Sequence, residues 1–124
     1  MRLKQSRIQT YHHRKRMTVK DNEGSTSETF GEATPISGES WPASGRVQAE
    51  MYGDRLKYIR NLRLADTYTI QTDNKGQLHY VLESGADIQE RDGICLYVDG
   101  AMDPDYRVIS IRPDRFLRME VEHT

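Results

Sequence analysis

Short runs of alternating apolar and polar residues, cut by tight-turn sequences, constrain this chain more than any other feature. Tyr68 and Ile70 alternate with Thr67, Thr69 and Gln71, so 66–72 fits a half-buried strand. Leu78, Tyr80 and Leu82 share one face, and the pattern repeats at Ile94, Leu96 and Val98, at Ile109 with Ile111, and at Leu117, Met119 and Val121. Arg7 to Lys20 is rich in Ile, Tyr, Thr and Val and reads as a strand anchored by Ile8 and Tyr11, while Phe30 ends a returning strand. Asp21-Asn22-Glu23-Gly24 and Asp73-Asn74-Lys75-Gly76 are turns, because Asn and Gly accept positive φ cheaply. Strands at this spacing, punctuated by Gly and by Asp103-Pro104, predict an all-β antiparallel barrel or sandwich. At 124 residues the expectation is a single domain over 1–124, a small β-barrel of the SH3 or OB kind.

Two stretches interrupt the pattern. In 50–64, Met51, Arg55, Tyr58, Ile59 and Leu62 share a helical face with Asp54 as a possible N-cap, yet Leu56, Tyr58, Arg60, Leu62 and Leu64 also alternate as in a strand. A short helix or irregular turn running into a strand is the expectation there. Residues 31–45 hold a tandem pattern, Gly-Glu-x-x-Pro-x-Ser, beginning at Gly31 and again at Gly38. Two copies are too few for a solenoid, and Pro and Gly at this interval forbid a helical heptad. The segment 21–45 therefore reads as an extended loop, either lengthened by duplication or ordered only against a partner.

Charge is distributed in blocks. The formal net charge is −1, but residues 1–20 carry seven Lys and Arg (Arg2, Lys4, Arg7, Arg14, Lys15, Arg16, Lys20) and no acid. Residues 21–54 and 65–105 are strongly acidic, whereas 55–64 hold Arg55, Lys57, Arg60 and Arg63 without an acid. Opposite blocks either meet within one fold or across a subunit boundary, or the basic arm neutralises phosphates. Only 35% of residues are hydrophobic and 30% are charged, a lean composition for a chain that must stabilise itself alone.

Chemistry-bearing patterns are sparse. His12 and His13 are adjacent, so a strand points them to opposite faces, and His79 and His123 are isolated. Cys95 sits in the apolar run Ile94-Cys95-Leu96-Tyr97-Val98 as a small hydrophobe. No phosphate-binding glycine loop, nucleophile elbow or calcium-loop spacing occurs, and Asp87, Glu90, Asp92, Asp99, Asp103 and Asp105 fall where turns use Asp for backbone reasons. The expectation is a non-enzyme with no catalytic residue, metal or cofactor. No apolar run is long enough for a membrane helix, and no signal-peptide centre is present, so no membrane partner is expected. Trp41, the one tryptophan, falls in the Pro-Gly-rich loop as either a cover for a core edge or a contact residue.

The segment Pro42-Ala43-Ser44-Gly45-Arg46-Val47-Gln48-Ala49-Glu50-Met51-Tyr52-Gly53-Asp54-Arg55-Leu56, followed by Tyr58-Ile59 and Asn61, resembles the central signature of a family of small tailed-bacteriophage neck proteins. These are the head–tail joining, or head-closure (stopper), proteins of siphophages and of prophages of Gram-positive bacteria. Arg7-Ile8-x-x-Tyr11 resembles the family's first strand, and Gly85-Ala86-Asp87-Ile88, Asp92-Gly93-Ile94 and Tyr106-x-Val108-Ile109-Ser110-Ile111 resemble its closing strands. The heptapeptide repeat and the Trp before Pro42 are not part of that pattern.

The resemblance implies a structural virion protein at the head–tail interface, made in the host bacterial cytoplasm. It implies a homo-oligomeric ring, dodecameric in related phages, between the portal-adaptor protein and the tail terminator and other tail proteins. Double-stranded DNA passes through the channel without sequence-specific binding, and the ring helps retain it. By position, Glu32, Ser37, Gly38, Glu39, Ser40 and Trp41 are the candidate channel loop, and Arg14, Lys15, Arg16, Tyr52, Arg55 and Tyr58 the candidate subunit or partner interface. The alternatives are a small OB-like nucleic-acid-binding module using Arg14, Lys15 and Arg16, and a neighbouring neck or tail-terminator subunit.

Overall fold

A computed structural model describes residues 7–20 and 22–124; Arg2 and Lys4 of the basic block and Asp21 of the first turn lie outside them. Six antiparallel strands close a barrel in the order β1 (Gln9–Lys20), β2 (Thr26–Pro42), β3 (Ile59–Leu64), β9 (Leu117–His123), β8 (Tyr106–Pro113) and β7 (Gly93–Cys95). A second sheet of β4 (Tyr68–Thr72), β5 (Leu78–Leu82) and β6 (Asp87–Ile88) lies between β3 and β7 in sequence. Between β2 and β3 come a short helix, α1 (Arg46–Tyr52), and a 3₁₀ turn over Gly53–Tyr58. The fold is the small all-β barrel expected from the alternation.

Both sheets contribute to one core. Ile36, Leu62, Leu64, Ile94, Val108, Leu117, Met119 and Val121 come from the barrel strands, and Tyr80, Leu82 and Ile88 from the second sheet join the same cluster. Leu117, Met119 and Val121 are fully buried because period-two alternation turns all three inward, each contributing about 1.5–3 kcal/mol. The pairing of Ile109 with Ile111 needs correction. The register shifts between Val108 and Ser110, so Val108 is buried and Ile109 falls at the irregularity. β7 is also shorter than its apolar run: Cys95 ends it, and Leu96 and Val98 lie beyond.

The largest correction concerns 21–45. The extended loop expected there is a 17-residue strand, which pairs with β1 from Thr26 to Gly38 and with β3 from Gly38 to Pro42. Prolines are compatible with it because Pro35 lies where β2 is paired only to β1, and Pro42 ends the strand. The repeat marks two bends of this strand. Gly31-Glu32 falls at the register shift opposite Arg14 and Arg16, and Gly38-Glu39 falls where β2 exchanges one partner for the other. At Gly38 a Cβ would sit 2.2 Å from the Arg63 carbonyl oxygen, so only glycine permits the close approach.

The helix begins earlier than the 50–64 reading placed it. Gly45 precedes α1 with no side-chain cap, Gly53 with φ 54 ends it, and Asp54 lies in the first turn of the 3₁₀ segment. Gly38→Ala is expected to destabilise the fold by about 1–3 kcal/mol, because backbone must move to admit the methyl group. An unchanged denaturant midpoint would contradict the close β2–β3 approach.

Candidate functional site

The six candidate channel residues belong to the barrel wall. Ser37 accepts a hydrogen bond at its carbonyl from Ala65 N (2.8 Å), and the Ser40 hydroxyl accepts from Tyr11 and from Arg60 Nη2, each at 3.3 Å. Glu39 faces Arg63 across the β2–β3 ladder, with an ion-pair distance of 3.8 Å. Glu32 is exposed at the bulge. Trp41 is half-buried, with the guanidinium of Arg63 at 5.2 Å and that of Arg118 at 5.6 Å from its ring centre. These residues therefore do not form a protruding loop, since strand pairing satisfies the backbone that a loop would leave open.

What does project is the far half of the β1–β2 hairpin. β7 pairs with β1 only at His12–Arg14, so among the described residues from Arg16 to Phe30 no strand ladder joins either outer edge of the ribbon, whose base is tied to the barrel by Asp92 on Arg16 N and by Arg107 on Glu28. Met17 and Val19 lie on one face of it and are about half exposed, at 50% and 48%.

The basic residues of β1 are engaged within the chain. Arg14 donates to the carbonyls of Gly31 (2.7 Å), Phe30 (3.0 Å) and Met102 (2.7 Å). Lys15 donates to the Gln89 side chain and the Asp87 carbonyl and lies 3.6 Å from Asp92. Arg16 binds Glu28 at 2.6 Å, and Arg107 reaches the other oxygen of the same carboxylate. A phosphate contact by Arg14, Lys15 and Arg16 would have to displace these partners.

Of the central-block candidates, two face their own barrel. Arg55 grips Glu122 in a bidentate pair at 2.8 and 2.7 Å, which holds the Glu122 carboxyl below its ordinary range. Tyr52 stands near Glu120, and burial followed by that carboxylate raises its pKa. Tyr58 is exposed, at 50%, with the Lys57 ammonium 5.1 Å from its ring centre, and Arg55 stays exposed despite its pair. No local pattern signals that α1 seats itself through a polar residue. Gln48, the helix's buried side chain, donates to Asn61 Oδ1 (2.7 Å) and Glu120 Oε2 (2.8 Å) on the outer face of β3 and β9. Val47 and Met51, which would face inward in an ordinary amphipathic helix, are 65% and 56% exposed.

Histidines and carboxylates form two clusters. His13 and His12 do face opposite ways; His13 Nε2 lies 2.7 Å from the buried Asp92, a residue 79 positions away. Asp92 also accepts from Arg16 N and Gln89 N, which fixes the 89–92 turn to β1. His79 sits between Asp73 (2.9 Å) and Asp87 (2.8 Å), one ring nitrogen to each. Both carboxylates favour the imidazolium and raise the His79 pKa, opposed by partial burial and by Lys15, while His79 leads the causes that lower Asp73. Asp73, Asp99 and Asp105 accept backbone N–H groups, as turn aspartates should. Cys95 is a buried thiol whose pKa is raised by burial and then by Asp105. Among the described residues, no group of three His, Cys, Asp or Glu side chains is placed to hold a metal ion.

The His79 clamp sets a pH window. Its contribution is complete below the unfolded histidine value of 6.5 and is lost as pH rises through the raised folded value. The Asp73 contribution is present above the unfolded value of 3.8 and is lost as pH falls through the lowered folded one. His79→Gln is therefore expected to flatten the fall of the denaturant midpoint with rising pH on the alkaline side of 6.5. An identical pH profile for variant and parent would contradict the clamp. With this geometry established, no family model, curated protein or solved structure matches the chain.

Proposed function

We propose that this chain is a structural subunit of a multi-copy ring in the neck of a tailed phage, acting in head closure between the portal-adaptor and the tail. The observation that carries the reading is the contrast between a barrel whose polar groups mostly hold itself together and the apolar surface it leaves outside. The far half of the β1–β2 ribbon extends past the strand pairing of the barrel, while Val47, Met51, Tyr97 and Met102 are all more than half exposed. Such a surface suits assembly, and the resemblance of 42–61 to the neck family's signature favours a neck ring as that assembly. The role is architectural, without a catalytic centre, a metal or a cofactor; the ring surrounds duplex DNA without reading its sequence.

In this reading the ribbon tip, rather than a loop over 31–45, is the element that reaches toward the channel or the tail. Internal use of Arg14, Lys15 and Arg16 weighs against the nucleic-acid-binding alternative. The adjacent-neck alternative differs only in which ring lies above and below.

Disrupting the gene in its phage or prophage is expected to yield heads that package and then lose DNA, together with free tails, seen by electron microscopy. Normal virions made without the protein would refute the proposal. Replacing 17–29 by a tight turn is expected to leave the thermal transition nearly unchanged, since no buried residue lies there among the described residues, while abolishing head–tail joining in complementation. Full complementation would remove the ribbon from the mechanism.

A further inference from the structure

Three arginines stand side by side across the outer face of the barrel. Arg63 of β3 is directly opposite Arg118 of β9, which is directly opposite Arg112 of β8. Like charges in direct cross-strand register are destabilising unless something anionic covers them. Arg63 has Glu39 at 3.8 Å, and Arg112 has the buried Glu120 at 3.7 Å. Arg118 meets no carboxylate among the described residues; its guanidinium lies over Trp41, whose ring also carries Arg63. The result is an aromatic and cationic face in which the central Arg118 has no carboxylate partner among the described residues.

The same chain displays a matching element. Between β7 and β8 the segment Tyr97–Asp103 exposes Tyr97 (68%) and Met102 (58%) together with the carboxylates of Asp99 and Asp103. The segment is held rigidly. Asp105 accepts from Leu96 N and Tyr97 N, Met102 N donates to the Asp99 carbonyl, and Arg14 Nη1 grips the Met102 carbonyl. Gly100 is packed so closely on β1 and β2 that a Cβ would lie 2.9 Å from that of Ala33 and 3.0 Å from the His12 ring. A pre-ordered segment loses little freedom on docking. Its Gly100 rests on β1 and β2, and its Tyr97 lies against Arg60 of β3 and Tyr106 of β8, while the arginine row is centred on β9. Among the described residues no ion pair joins Asp99 or Asp103 to Arg112 or Arg118 of the same chain.

We propose that the Tyr97–Asp103 segment of one copy docks on the Trp41–Arg118–Arg112 face of the next. This deepens the multi-copy reading above and rests on it. Tyr97 and Met102 lie against the aromatic side, and Asp99 and Asp103 supply the carboxylate that Arg118 lacks. Because the two faces differ, the contact repeats head to tail, the pattern that closes into a ring.

A charge swap tests this with the full-length chain. Sedimentation velocity at low salt is expected to show self-association of the parent. R112E/R118E and D99K/D103K should each weaken it by about tenfold or more, and a one-to-one mixture of the two variants should restore it. Unchanged association of both variants, or a mixture that fails to recover, would overturn the docking while leaving a multi-copy assembly standing. A parent that stays monomeric at every attainable concentration would overturn both. Salt-sensitive retention of duplex DNA by the parent, lost in R112E/R118E, would instead make the row a phosphate-binding face.

Discussion

The barrel depends on one strand changing partners. β2 leaves β1 and joins β3 at Gly38, where two backbones come closer than any side chain would allow. Closure of the remaining ring, β3–β9–β8–β7–β1, follows from that exchange. The seam between β1 and β7 covers only three residues on each strand, and it is reinforced from inside by His13 on Asp92. A small domain with few apolar residues thus relies on two well-placed joints as much as on core volume.

Charge segregation along the sequence turns largely into pairing across the fold. The basic first strand meets the acidic 65–105 block through Lys15 with Asp87 and Asp92, and the 21–54 block through Arg16 with Glu28. The basic 55–64 block reaches the C-terminal strand through Arg55 with Glu122. Most of these pairs are partly exposed, so they define which strands lie together more than they add stability. The arginine row stands apart because its members face one another.

Local rules carried far in this sequence. Alternation placed β4, β5 and β9, turn residues placed both hairpins, and the adjacency of His12 and His13 gave their opposite directions. Other features depend on partners distant in sequence. Pro35, Pro42 and the glycines made β2 look like a loop, because nothing local tells that Pro35 has a vacant side or that Gly38 is crowded by β3. Asp92 gives no sign of His13 79 residues earlier, and Gln48 on an amphipathic-looking helix gives no sign that it faces inward. Among the candidate contact residues, chemistry was legible and engagement was not: Arg14, Arg16 and Arg55 look available until their carbonyl and carboxylate partners are in place.

The free ribbon also has a kinetic meaning. From Arg16 to Lys20 it extends about 17 Å at the rise of a strand, beyond the last residue that β7 supports. An appendage of that length enlarges the radius within which a passing neighbour is first touched. Its exposed lysine, threonine and glutamate side chains outnumber the half-exposed Met17 and Val19 and keep such touches brief unless the correct surface follows.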